Sequence, residues 1–304
     1  YGLEPATEAR MLRAARAAGK AAGVRVFTTF LGAHAIPADR RSDRTSYVEE
    51  VVGAQLDACA PHADFVDAYV DRGAFTVEEG RRVLAAGKAR GLGVRVHAEQ
   101  VAFTGAAKMA AELLDTGRVG MERIDDAGIE AMATAGSVAV MLPGAMLYLR
   151  DTPPPVAALR EAGVPMAVAT DLNPGSSPVA DPWTCATLAC VTMGLTVEET
   201  LLGITARGAD ALGRRDLGRL RVGGPAEIVT VELPPGEPTS AAALATSSVA
   251  ADDKRRKRLR CLTNAGGALP RLTRFSRSLA AAAACCAFAS DASANNTRAW
   301  SSST

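Results

Sequence analysis

The stretch Pro165-Met166-Ala167-Val168-Ala169-Thr170-Asp171-Leu172-Asn173-Pro174-Gly175-Ser176 decides the fold. Its apolar run reads as a short buried strand, and Asn-Pro-Gly then breaks the chain. Asp171 therefore stands where a strand runs out into a loop. In a fold of alternating strands and helices, that exit is where ligands and catalytic groups gather. An Asp that merely caps the turn is equally compatible with this stretch taken alone. A second stretch, Leu92-Gly93-Val94-Arg95-Val96-His97-Ala98-Glu99-Gln100, repeats the pattern and ends in His97. A lone His at a strand end is commonly a satisfied polar residue. Its separation from Asp171 nevertheless equals three successive strand-helix units of about 25 to 30 residues, which puts both side chains on one rim.

Working outward, strand-like and helix-like segments alternate along the chain. Helical patterns cover residues 4–18, 46–60, 76–90, 105–114, 125–135 and 155–162. Thr76-Val77-Glu78-Glu79 and Thr196-Val197-Glu198-Glu199 are capping boxes, Ser46 is read as a helix cap, and Gly91 and Gly136 are helix stops. Strand patterns cover residues 24–31, 64–70, 92–98, 118–122 and 138–142, besides the one before Asp171; Pro143-Gly144 closes the fifth of these. Six strand-helix units in this order dictate parallel pairing through right-handed crossovers. The fold class is thus α/β, an incomplete TIM-type (β/α)8 barrel two strands short of closure.

Composition narrows the function classes. A net charge of +1 gives no electrostatic reason to expect a nucleic-acid partner, and 4% aromatic residues provide no stacking platform. The six cysteines include no Cys-x-x-Cys pair, so neither a zinc knuckle nor a disulfide framework is expected. A reducing, cytoplasmic setting follows as the default, and no apolar run is long enough to suggest a membrane span. Tyr1-Gly2-Leu3-Glu4 carries neither an initiator Met nor a basic leader, which reads as a start inside a larger protein.

Four motifs together carry a family resemblance. Gly32-Ala33-His34-Ala35-Ile36-Pro37, His97-Ala98-Glu99-Gln100, Met141-Leu142-Pro143-Gly144-Ala145 and Ala169-Thr170-Asp171-Leu172-Asn173-Pro174-Gly175 occur in the order and at about the spacing of the imidazolonepropionases. Those are amidohydrolase-superfamily hydrolases of histidine degradation, and the resemblance runs from residue 1 to about 231. It implies opening of the cyclic amide of 4-imidazolone-5-propanoate to N-formimino-L-glutamate by a metal-activated water. It also implies one divalent metal, zinc or iron, and makes His97 and Asp171 metal ligands, with Asp171 also taking the proton of the water. Tyr1, His34, Gln100, Asn173, Gly175 and Ser176 match substrate-contacting positions, Gln100 lying beside the ring amide edge. The small-molecule substrate is the expected partner, and the family's dimer makes a homodimer plausible.

The departures matter as much. The family's His-x-His pair, which supplies two metal ligands, is absent from this sequence, whose histidines are His34, His62 and His97. Where the family reads Asp-His-Leu-Glu, this chain has Val119-Gly120-Met121-Glu122. Catalytic zinc ordinarily takes three protein ligands, so weak metal binding and little or no activity are expected of the chain as given. A different cyclic-amide hydrolase or deaminase of the superfamily, or a non-catalytic derivative, is the alternative. The resulting layout is a barrel over residues 1–213, a return into a small β-sandwich domain over 214–232, and a low-complexity tail over 233–304. That tail has the composition of a disordered segment and contains the basic run Lys254-Arg255-Arg256-Lys257-Arg258. Asp64, Asp67 and Asp71 read as surface and turn acids.

Overall fold

The computed structural model describes residues 1–113, 118–120, 123–225, 229, 231–232 and 248–249. Six strands, β1 (Thr29–Ala33), β2 (Phe65–Val70), β3 (Gly93–Ala98), β4 (Arg118–Gly120), β5 (Val138–Met141) and β6 (Met166–Val168), form one sheet. Every neighbouring pair is parallel, and spatial order equals chain order. Among the described residues this is an arc of a (β/α) barrel, with β1 and β6 each paired on one side, as the incomplete-barrel reading requires.

Helices connect and cover the strands: α1 (Pro5–Ala22), α2 (Arg44–Glu50), α3 (Leu56–Cys59), α4 (Val77–Ala89), α5 (Ala106–Leu113), α6 (Asp126–Ala135), α7 (Pro143–Leu149), α8 (Val156–Glu161), α9 (Pro182–Met193), α10 (Val197–Leu202) and α11 (Gly208–Ala211). A π turn at Val51–Gln55 joins α2 to α3, and another at Gly203–Arg207 joins α10 to α11. The two capping boxes close as read: Thr76 and Thr196 accept from the amides of Glu79 and Glu199, whose carboxylates reach back to the cap amides.

The packing of α4 on β2 fixes which way β2 faces. A Cβ built on Gly80 would lie 2.4 Å from Val70 Cγ2, and one on Gly87 would lie 2.4 Å from Val66 Cγ1. The glycines thus allow the helix to ride directly on the valines, which are fully buried with Val83 and Leu84 between helix and sheet. Because side chains alternate along a strand, Asp67 and Tyr69 must face the other way, toward the concave side of the arc.

Several boundaries differ from the pattern reading. The first strand begins at Thr29, because Val24 is still closing α1 through its amide to the Gly19 carbonyl and Thr28 is tied by its amide and hydroxyl to Asp64. The second helix is capped by Asp43, which accepts from the Ser46 amide, so Ser46 lies inside it. Pro143-Gly144 ends β5 and at once opens α7, where proline at the first helical turn costs no hydrogen bond. Val231–Glu232 (β7) and Ser248–Val249 (β8) pair antiparallel. Otherwise the proposed tail, with its basic run, lies outside the described residues. No described helix is long and apolar enough to cross a membrane.

Candidate active site at the strand exits

β2 and β3 pair in unbroken register, Asp67 opposite Arg95 and Tyr69 opposite His97. On β4 the partner of His97 is Gly120. Two residues apart on one face, Asp67 and Tyr69 flank the imidazole of His97, while β1 delivers His34 just past its end. His97 Nδ1 lies 3.1 Å from Asp67 Oδ1, and His34 Nε2 lies 3.9 Å from the same oxygen. The His34 and His97 rings meet edge to face with centroids 5.2 Å apart, Tyr69 lies within 6.5 Å of both, and Tyr1 reaches His34 at 5.0 Å. His34, Asp67 and His97 offer donor atoms that all lie within 4.8 Å of one another, the single such group among the described residues.

Electrostatics follow from burial. Desolvation dominates at His34 and pushes its pKa down to about 4, so the ring is neutral at pH 7. Burial alone would push the Asp67 carboxyl up; the charges of His97, His34 and Arg95 and the hydrogen bond to His97 reverse this and hold it below the usual carboxylate range. Arg95, stacked 3.5 Å above the Phe65 ring, donates to Thr29 Oγ1 at 2.8 Å. The Tyr1 phenol is pushed up to about 12, by desolvation first and then by the charges of Asp67, Asp171 and Glu8.

Asp67, His97 and Asp171 line one cavity of about 530 Å³ at the strand exits, with Arg95, Thr170 and Leu172 also on its wall. His97 and Asp171, read from separate stretches of sequence, thus share a site. Asp171 has a left-handed backbone, φ 48°, as does Glu99 after β3, φ 58°. Such conformations are uncommon outside glycine and concentrate where geometry serves a site. The loop beyond Asp171 is cross-tied. Asn173 and Ser177 exchange backbone hydrogen bonds of 3.0 and 2.8 Å, Asn173 Oδ1 accepts from the Gly175 amide, and Ser177 Oγ donates to the Thr170 carbonyl at 2.7 Å. Asn173 and Gly175 are exposed and Ser176 is half-buried, and these three do not line the cavity. Nor do Tyr1 and His34, nor Gln100, whose carbonyl accepts from Arg123 Nε at 3.3 Å.

Asp67 is the site residue missed by pattern reading, and classing it with surface acids was wrong: its side chain is 7% exposed. Asp71 is buried too, gripping the Val101 and Ala102 amides at 2.7 and 3.0 Å, and Asp64 anchors Thr28 and Arg16. The available signal was the pair Asp67-x-Tyr69 inside an apolar run, two polar-capable side chains at the spacing of one strand face.

The donors present suit a divalent metal in kind. Imidazole and carboxylate ligands are what zinc and iron accept, and both ring nitrogens of His34 are buried without a hydrogen-bond partner beside Asp67.

Comparison with known proteins identifies the family and agrees with the fold. The imidazolonepropionase of Ectopseudomonas mendocina (strain ymp) is 46% identical over 75% of this chain and 57% of its own length. That of Polaromonas sp. (strain JS666 / ATCC BAA-500) is 47% identical over 77% and 56%. The chain therefore spans little more than half the length of these curated relatives. Among solved structures, a zinc-bound adenosine deaminase from Xanthomonas campestris superposes with a TM-score of 0.59 at 20% identity, covering 76% of this chain and 58% of that one, a likeness of fold. The profile of the amidohydrolase family matches residues 5–260, most of the chain, and with the parallel arc and the His and Asp residues at its strand exits, this protein belongs to the amidohydrolase family.

Proposed function

We propose that this chain forms the greater part of the active-site wall of an imidazolonepropionase, a hydrolase that opens the cyclic amide of 4-imidazolone-5-propanoate to N-formimino-L-glutamate. The observation that carries the reading is the convergence of His97 and Asp171 on one cavity, in a chain 46% identical to a curated imidazolonepropionase. In this reading His97 and Asp171 hold one divalent ion, zinc or iron. When bound, such an ion acidifies water from 15.7 toward about 7 and polarises a carbonyl, which is what amide hydrolysis at neutral pH needs.

The remaining chemistry belongs to the chain. Asp171, an acceptor at the cavity wall, takes the proton that the attacking water loses and returns it to the ring nitrogen as the amide C–N bond breaks. His34 is neutral and can donate from one nitrogen while accepting at the other. The Tyr1 phenol keeps its proton and serves as a donor to the substrate. In this reading Gln100 and the loop of Asn173, Gly175 and Ser176 supply the remaining substrate contacts. Since the Gly175 amide is already spent on Asn173 Oδ1 and the Asn173 backbone amide on the Ser177 carbonyl, the loop's donors are the Asn173 side-chain Nδ2 and the Ser176 hydroxyl.

The test is turnover of 4-imidazolone-5-propanoate by the chain joined to an upstream segment carrying a His-x-His pair, in zinc- and iron-loaded forms. Appearance of N-formimino-L-glutamate, abolished by Asp171→Asn, supports the assignment. Retention of that turnover in Asp171→Asn, or hydrolysis of a different cyclic amide in its place, sinks it. Because Gly120 is the register neighbour of His97, Gly120→His is expected to raise kcat by about 10-fold or more, within the range of one general acid–base or positioning group.

A further inference from the structure

His97 has a carboxylate behind it that none of the four sequence motifs contains. Asp67 lies on β2, in a different strand-helix unit, and presents Oδ1 to His97 Nδ1 at 3.1 Å. The same oxygen is 3.9 Å from His34 Nε2. The contact is built into the sheet: α4 occupies the face of Val66 and Val70, so Asp67 can only turn toward the imidazoles. We propose that Asp67 is the positioning residue of this site, holding His97 as its Nδ1–H tautomer so that the lone pair on Nε2 points at the metal position, and setting the spacing of His34 from the same oxygen. This rests on His97 being a metal ligand.

A carboxylate behind a ligating imidazole fixes tautomer, ring orientation and basicity together, and loss of such a partner typically costs 10- to 100-fold in metal affinity. The geometry answers the competing reading, in which Asp67 is simply the counter-ion of Arg95. Arg95 is opposite Asp67 in the sheet and its charge also favours the carboxylate, but its guanidinium stacks on Phe65 and its Nη1 donates to Thr29 Oγ1, and the side-chain hydrogen bond of Asp67 is to His97, whose charge and hydrogen bond lower the carboxyl more than Arg95 does. A purely structural carboxylate would influence stability and leave the ring tautomer alone.

The chain has three histidines, so the experiment is direct. With 15N-labelled histidine in the metal-free 304-residue chain, His97 is expected to show a protonated Nδ1 and an unprotonated Nε2. Asp67→Ala should shift it toward the Nε2–H form, and zinc affinity, measured by competition with a chelator, should fall 10- to 100-fold. Asp67→Asn keeps an oxygen that can accept from Nδ1–H, and should recover most of the tautomer preference and part of the affinity. An unchanged His97 tautomer in both variants, or zinc seated on Nδ1 of His97 in the loaded protein, overturns the proposal. If Asp67→Ala does not fold, the near-isosteric Asp67→Leu, which also removes both oxygens, takes its place with the same expected tautomer shift and loss of affinity. Undiminished zinc affinity in His97→Ala would instead refute His97 as a ligand, an outcome separate from the tautomer result in the metal-free protein.

Discussion

At the scale of single residues, the loop after Asp171 separates holding the backbone from meeting a ligand. Ser177 is fully buried and its hydroxyl ties off the Thr170 carbonyl, one residue before the left-handed Asp171; Asn173 makes its side-chain bond in the open. Ser177→Ala should therefore cost about 1–3 kcal/mol, the range for stranding a buried polar partner, and Asn173→Ala less than about 1 kcal/mol. Under the proposed function the order reverses for substrate, with Asn173→Ala raising KM more than Ser177→Ala. Denaturant melts and steady-state kinetics read the two orders, and equal stability losses would refute the division. His97 and Asp171 were legible because each ends a short apolar run. Asp67 was not, because its alternation with Tyr69 marks one face of a strand without saying whether that face meets solvent or the concave side of the sheet. Its role depends on the strand register, which no local window of sequence contains.

At the scale of elements, α4 is the clearest case of sequence dictating structure, and also of close packing. Its capping box could be read directly from Thr76 and Glu79, whereas the contact of Gly87 with Val66 needed the sheet to be in place. Gly87→Ala improves helix propensity but forces a methyl against a fully buried valine, so a net loss of about 1–3 kcal/mol is expected from overpacking, and a stabilised variant would contradict the contact. Glu79 also ties α4 to α2 through Arg44. The hydrogen bond from that guanidinium is the main cause holding the Glu79 carboxyl below its ordinary value. A depressed carboxyl binds fewer protons folded than unfolded, so its stabilisation is present above the ordinary glutamate range and fades as pH falls through it toward the folded value. Glu79→Gln should accordingly lower stability at pH 7 and flatten the dependence between about pH 5 and pH 3, which urea midpoints across that range would show. α7 illustrates the opposite case. Pro143-Gly144 looks like a break in any linear reading, and only the direction of the chain leaving β5 makes the proline the first residue of a helix.

At the scale of the whole molecule, six parallel strands give the described sheet two edges, at β1 and β6, which a closed barrel does not have. Purified as this 304-residue chain, the protein is expected to associate through those edges, giving a concentration-dependent mass above 31.3 kDa in light scattering. A monodisperse monomer at all concentrations would show the edges to be shielded. The arrangement that leaves these edges also has a kinetic meaning. Since strand order in space is strand order in the chain, each new strand emerging during synthesis finds its partner already present, and no pairing must wait for a distant segment. His34, Asp67 and His97 all precede Ala98 in the chain, so once β3 has cleared the ribosome the imidazole pair and its carboxylate can assemble on a three-strand nascent sheet before the segment carrying Asp171 has emerged. The ribosome thus delivers the two halves of the site in sequence, first the histidines with Asp67, then Asp171.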